Sequence, residues 1–304
     1  MAIDIVAAMR VFTTVVDSGS FAGAAEKLSL SPGMVTRYVA QLEEHLGVRL
    51  LHRTTRKLSL TEEGSDYCQR ALQIIASIED AELSATKSKA DPRGILRITM
   101  ASSLGLGHLD RAIVDYLQRF PNVEVDVMTS ERFVDIIDEG FDLALRVAQQ
   151  ISPGLIARRI APVSIVTCAS PEYLRAHGTP GSPNDLMEHN CLFYPPSTYI
   201  NKWRFCREGV EQFVPIKGNF RVNNGNMLAN AAVAGMGIIY EPDFHVAEYI
   251  QQGKLVQILA EWETVELSLY AVYANRQFLP QKVRSFIDFL VDYFGPQPYW
   301  SLPK

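Results

Sequence analysis

Between Arg49 and Lys57 the chain reads RLLHRTTRK, with four basic side chains (Arg49, Arg53, Arg56 and Lys57) and no acid. A cationic cluster of this density carries out no bond-making by itself. It suits polyanions, whose phosphates accept hydrogen bonds and salt bridges from guanidinium groups. A solvated basic loop has the same composition, so the neighbouring elements must decide. The local charge also stands against the whole, because the 304 residues carry a formal net charge of −5. Net charge is an average, and a binding footprint is local.

The other residue types capable of chemistry are scattered. The six histidines (His45, His52, His108, His177, His189, His245) have no HxH or HExxH spacing, and neither a GxSxG elbow nor a phosphate-binding glycine loop occurs. These absences point away from an enzyme. The cysteines Cys68, Cys168, Cys191 and Cys206 form no CxxC pair, so neither a zinc site nor a disulfide framework is expected, and no metal or cofactor is called for. The N-terminus lacks a basic start followed by an apolar core, and no apolar run approaches the roughly 20 residues of a membrane span. A cytoplasmic protein with no membrane partner is expected.

The elements around the basic run give it a role. Ile5, Met9, Phe12 and Val16 make the stripe of a first amphipathic helix, ended by Ser18-Gly19. Ser20 caps a second helix over Phe21–Leu28, whose small residues let a neighbour approach closely. Ser31 caps a third with Pro32 in its first turn. In that helix Val35, Val39, Leu42 and Leu46 form one buried stripe, and Gly47 stops it. Arg37 lies almost opposite the stripe, with Gly33 and Ala40 on the outer face and Thr36 on the flank. A small, polar, basic first half suits entry into a major groove. Strands Val48–Leu51 and Leu58–Leu60 would carry the cationic run as a wing reaching phosphates or the minor groove. Together these make a winged helix-turn-helix.

From Thr61 a long helix is expected to about Lys89. Tyr67, Ala71, Ile74, Ile78, Ala81 and Ala85 recur at heptad spacing. Such a seam either packs on its own domain or pairs two chains. Pairing is preferred, because the stretch after Gly64 has no neighbouring helix in the chain to cover it.

The stretches SFAGAAEKL, SPGMVTR and LEEHLGVRLLHRTTRKLSLTEEG within residues 20–64 resemble the DNA-binding signature of the LysR-type transcriptional regulators. Gly33-Met34 stand where small alanine-like residues are common, and Thr36 where serine is usual. The resemblance implies that Ser31, Pro32, Gly33, Met34, Thr36, Arg37, Gln41, Arg53, Thr54 and Arg56 contact double-stranded DNA. It further implies dimers, assembled as dimers of dimers, acting indirectly on RNA polymerase.

Past the hinge Asp91-Pro92-Arg93-Gly94 the pattern turns to α/β. Strands are read at 95–100, 123–128 and 141–147, with a helix at 105–120 and a short one at 134–138. A second set follows with strands at 164–170, 219–225 and 238–240 and a helix at 227–234. A strand at 267–274 and a helix at 281–294 close the unit. FDLALRV, LIARRIAPVSIVTCASPEYL, AVAGMGIIYEPDF and VRSFIDFLVDYF are similar to the two-lobed, periplasmic-binding-protein-like effector domain of the same family. The expected division is 1–61 for DNA binding, 62–90 for the linker helix and 91–304 for the effector domain. Within the last, lobe I takes about 93–162 and 268–304, and lobe II about 163–267.

Ligands in open α/β sheets sit beyond the carboxyl ends of strands. Ser102 and Ser103, Thr129 and Ser130, Val147, Cys168, Asn224 and Asn226 are the effector-contacting candidates on that rule and by the family resemblance, for a small carboxylate or aromatic ligand. Each is also a plausible cap or turn residue. Trp203 and Phe205 either wall the cleft or pack lobe II. Arg146 either binds an effector carboxylate or pairs with Asp142. A redox sensor using Cys191 and Cys206 is the alternative function, and a free-standing solute-binding protein conflicts with the DNA-binding stretch.

Overall fold

The polypeptide separates after Gly94 into two compact units, each with its own core. The structure is a computed structural model that describes residues 3–54, 57–85, 92–132, 134–151, 155–195, 202–274 and 279–302.

In the first unit, α1 (Ile5–Ser18) is capped by the Asp4 carboxylate, which accepts from Ala7 N–H, and closed by Gly19 at positive φ. Ser20 caps α2 (Phe21–Lys27) through Gly23 N–H, and Ser31 caps α3 (Pro32–Leu46) through Met34 N–H. Gly47 ends α3 in the left-handed region, which a Cβ would disfavour. β1 (Leu51–Thr54) and β2 (Lys57–Leu60) pair antiparallel as a two-stranded ribbon, starting three residues later on its first strand than the alternation suggests. Two ties hold the ribbon's base. Glu43 Oε1 accepts from Leu50 and Leu51 N–H, and Thr61 Oγ1 donates to Arg49 O while accepting from Gly64 N–H. The core combines Phe12, Val35, Val39, Leu42, Leu50 and Leu51.

α4 (Glu62–Ala85) follows. Here one expectation is corrected. Tyr67 and Ala71 pack with Met9 and Ile75, and the Phe12 and Tyr67 rings lie 5.9 Å apart. The start of the seam is thus covered by α1 of the same chain, an element that precedes it in sequence. Ile74 and Leu72 remain 43% and 40% exposed, and Ile78 is half-buried. The side chains of Ala81 and Ala85 lie outside the described residues.

The second unit carries one eight-stranded sheet system ordered β4 (Val123–Thr129), β3 (Gly94–Met100), β5 (Leu143–Ala148), β12 (Glu266–Ala274), β6 (Leu155–Ala169), β10 (Ile238–Pro242) and β7 (Cys191–Leu192), with β11 (Val256–Gln257) beside β6. In chain order its elements begin with β3 (Gly94–Met100), α5 (Ser102–Leu104), a π-type turn at Gly105–Leu109 and α6 (Asp110–Arg119). β4 (Val123–Thr129), β5 (Leu143–Ala148), β6 (Leu155–Ala169) and α7 (Pro171–His177) come next. A 3₁₀ turn at Pro183–Glu188 leads to β7 (Cys191–Leu192) and the separate hairpin β8 (Lys202–Arg207) and β9 (Val210–Pro215). The unit ends with α8 (Gly225–Val233), β10 (Ile238–Pro242), α9 (Asp243–Gln251), β11 (Val256–Gln257), β12 (Glu266–Ala274) and α10 (Gln281–Phe294).

β6 is the hinge of this layout. Its first part pairs with β12 through Ser164↔Glu266, and its second with β10 from Ile165↔Pro242. One continuous strand therefore belongs to both lobes and hands over at Ser164/Ile165. The expected helix at 134–138 is a run of turns. The expected strand at 219–225 contributes only an isolated bridge from Arg221 to Phe193. Around 105–120 the helix is broken where Leu106 and Gly107 leave helical angles.

Candidate DNA-reading face and effector cavity

The groove-facing candidates divide cleanly. Val35, Val39 and Leu42 are buried, while Ser31, Pro32, Gly33, Met34, Thr36 and Arg37 are exposed on the other side of α3, with Gln41 half-buried. Thr36 Oγ1 donates back to Pro32 O at 3.0 Å, so its methyl rather than its hydroxyl is the freer group. Nothing lies within 4 Å of where a Cβ on Gly33 would stand, which leaves the first turn open to approach. The first half of that face carries no acid, and Glu44, exposed two turns beyond Arg37, lies toward the far end of the helix. Arg53 and Thr54 sit on β1, but their side chains lie outside the described residues, as does all of Arg56.

In the second unit a cavity of about 340 Å³ opens where β3, β5, β6 and β10 meet. Of the candidates, Ser103 and Val147 line it, the first at the start of α5 and the second on β5. Ser102 stands just behind, its N–H donating to Glu131 Oε1 at 3.1 Å. The remaining candidates, Ser130 apart, are corrected. Thr129 is exposed on β4 away from the lining, whereas Ser130 beside it reaches the cavity, and so does Glu131. Cys168 is buried in the lobe II core, where burial pushes its thiol far up. β6 runs antiparallel to β10, so its carboxyl end points away and its middle, Ile165, faces the cavity. Asn224 caps α8 through Met227 N–H, and Asn226 is half-buried away from the lining.

The groups that sequence reasoning missed come from the end of β10. Tyr240 and Glu241 line the cavity, with Phe244 and His245 from α9 and Tyr194 after β7. Glu241 and His245 form a buried pair, Oε2 to Nδ1 at 2.9 Å. Burial raises the Glu241 carboxyl and His245 opposes the rise. A Cβ on Gly225 would lie 2.0 Å from the His245 ring, so only glycine admits this pair. The Tyr194 phenol, raised by burial, faces the Ser103 side chain and the Gly225 backbone. Trp203 stacks on Tyr240 at 5.1 Å and Phe205 meets its edge at 5.6 Å. Both are therefore packing behind the wall rather than the wall itself. A signal was present in the sequence: the string EPDFH places three titratable groups at a strand-to-helix turn.

Arg146 is settled in the same way. Asp142 accepts from Lys282 Nζ at 2.9 Å and from Arg97 N–H at 3.0 Å, so it belongs to a different pair. Arg146 lines the cavity, and its Nη2 is buried without a hydrogen-bond partner. Burial pulls the guanidinium below its ordinary value, with Glu131 working the other way.

The redox alternative is not favoured. Cys191 and Cys206 are both buried and free, and burial pushes the Cys191 thiol up to about 12, opposing the thiolate that oxidation requires. Among the described residues no group of three histidine, cysteine or acidic side chains is placed to hold a metal ion.

Residues 6–65 match the sequence model described as "Bacterial regulatory helix-turn-helix protein, lysR family", and residues 89–295 match "LysR substrate binding domain". The HTH-type transcriptional regulator CrgA of Neisseria meningitidis is 36% identical over 288 residues, 94% of this chain and 96% of that protein. The HTH-type transcriptional regulator DmlR of Escherichia coli is 34% identical over 299 residues, covering 97% and 96%. Among solved structures, CrgA superposes with a TM-score of 0.61 over 94% of this chain and 97% of its own. Full-length AphB of Vibrio cholerae, described as a virulence activator, does so with a TM-score of 0.59 at 29% identity, over 96% and 99%. The capped reading helix, the basic ribbon and the two-lobed cavity are accordingly those of a DNA-binding transcriptional regulator with an effector domain, and the chain belongs to the LysR family.

Proposed function

We propose that the chain binds operator DNA as a dimer, assembled further into a dimer of dimers, and that a small carboxylate-bearing effector in the second unit's cavity controls that binding or the bend it imposes. The observation that carries the effector half is the unpartnered Arg146 Nη2 inside a wall that is otherwise largely apolar. An unpaired buried guanidinium nitrogen is costly, and an incoming carboxylate relieves that cost. The site recruits no cofactor. The protein works in the cytoplasm, away from membranes, and acts on RNA polymerase indirectly through the architecture of the promoter. Among the described residues no single helix is long and apolar enough to cross a membrane, in keeping with that placement.

The effector need only bind one arrangement of the assembly more tightly than another. Genomic footprinting of the purified protein identifies its sites, and the genes beside them name the carboxylates to titrate. Footprints that respond to such a compound in the wild type and not in Arg146→Met support this function. Footprints indifferent to every compound, with Leu145→Trp behaving like wild type, contradict it.

A further inference from the structure

Resting on that reading of the cavity, we infer that the effector is dipolar, a free α-amino acid with an apolar side chain, whose carboxylate meets Arg146 and whose ammonium meets Glu131. The inference comes from the charges the cavity holds and from how each is already engaged.

Arg146 and Glu131 line the same cavity, and no ion pair joins them. Glu131 is held by Ser102 N–H on one oxygen. Arg146 has lost the acid that might have neutralised it, because Asp142 is taken by Lys282. The other charges are accounted for. Glu241 and His245 pair through Oε2 and Nδ1, which leaves His245 Nε2 buried without a partner as one further polar atom beside the charged pair, and Arg132 is exposed at the rim, where solvent screens it. What remains inside is one fixed cation and one fixed anion.

That arrangement discriminates by charge. A simple carboxylate is drawn to Arg146 and repelled by Glu131, and a simple amine has the opposite difficulty. A ligand with both charged groups on one carbon satisfies both side chains and brings no net charge into a poorly solvated space. The rest of the wall, including Leu104, Leu145, Val147, Ile165, Phe244 and Leu267, offers an apolar surface for a side chain. A volume of about 340 Å³ lies at the small end of ligand pockets, suited to a single residue rather than a peptide.

Calorimetric titration of the full chain tests this with L-leucine and L-phenylalanine. Each is compared with its deaminated acid (isocaproate, hydrocinnamate) and its decarboxylated amine (isoamylamine, phenethylamine). At least one amino acid is expected to bind about tenfold or more tightly than either truncated form. Arg146→Met should abolish that binding. Glu131→Gln keeps the acceptor for Ser102 N–H but removes the charge, so the deaminated acid should gain on the amino acid until the preference disappears. A deaminated acid binding as well as its parent, or a preference that survives Glu131→Gln, overturns the inference. So does the absence of amino-acid binding. If a non-zwitterionic metabolite then binds and is lost in Arg146→Met, the dipolar assignment alone has failed and the cavity remains the effector site. Should Leu145→Trp leave every ligand response unchanged, the cavity reading fails with it.

Discussion

Arg37 stands on the exposed face of α3, one turn in from a capped N-terminus, with Gly33 leaving the approach open. We propose that an arginine so placed reads base edges rather than merely neutralising phosphate. Arg37→Ala should cost about 1–3 kcal/mol of specific affinity and leave non-specific affinity nearly unchanged. Competition titrations against operator and random duplex check this, and an equal loss on both would assign Arg37 to the backbone. A second residue-scale consequence concerns pH. Asp243 accepts from Ser164 and Phe244 N–H, yet burial raises its carboxyl to about 7. A raised carboxyl means the folded chain holds the proton more tightly than the unfolded one. Its contribution is therefore present at low pH and lost as pH rises from the ordinary carboxylate range through about 7. His108 runs the other way: burial first, then His245, lowers it to about 4, so its contribution is lost as pH falls below its ordinary value. Above about pH 6.5 only Asp243 of the two still titrates. There Asp243→Asn should gain on the wild type by a few degrees in melting temperature up to about pH 8. Parallel melting curves across that window would remove Asp243 from the account.

Among the elements, the first unit was the more legible because its signals are local. Caps at Ser20 and Ser31, stop glycines at Gly19 and Gly47, and the stripe of α3 each depend on residues within one or two turns. The cavity was harder because its rule depends on strand direction, and direction is set by pairing between distant segments. Val147 and Ser103 follow parallel strand ends and were found. Cys168 was misplaced because β6 is antiparallel to β10, and no periodicity within SIVTCAS reveals that. Asn224 was placed at a strand-to-helix turn lining the cleft, where it caps α8 and does not reach the cavity. The seam of α4 shows the same limit, since Tyr67 and Ala71 face α1, some sixty residues earlier in the chain. One close approach in this unit makes a direct test. A Cβ on Gly64 would fall 2.0 Å from Leu50 O, with the ribbon base immobilised by Thr61 and Glu43. Gly64→Ala should destabilise the unit by about 1–3 kcal/mol through overpacking. Gly33→Ala, with open space around it, should be neutral or stabilising by up to about 1 kcal/mol. Chemical denaturation of both variants measures the contrast, and similar midpoints would mean the α4 start can shift to make room.

On the scale of the whole molecule, the family's habit of oligomerising has to be reconciled with a linker helix that spends part of its apolar surface on its own chain. Ala71 and Ile75 are consumed by Met9. Leu72 and Ile74 are not; two residues apart on a helix, they flank that covered stripe on opposite sides, and Ile74, 43% exposed on the heptad seam, is the side chain a partner helix would cover. We propose that pairing along this helix places two α3 helices on one DNA molecule, so that the second reading event becomes intramolecular and apparent affinity rises steeply. Breaking the pair should therefore cost far more on an operator with two half-sites than on one half-site. Leu72→Glu with Ile74→Glu should shift the protein toward monomer in sedimentation velocity. It should leave the circular dichroism of the first unit unchanged, because neither residue belongs to that unit's core. Affinity for the full operator should fall by about a hundredfold or more, within the range that loss of bivalency implies, while affinity for a half-site stays the same. If the double variant remains dimeric and binds the full operator as wild type does, subunit pairing must run through another surface, and the exposed pair on α4 would then be ordinary solvent-facing apolar residues of the kind that every soluble chain carries.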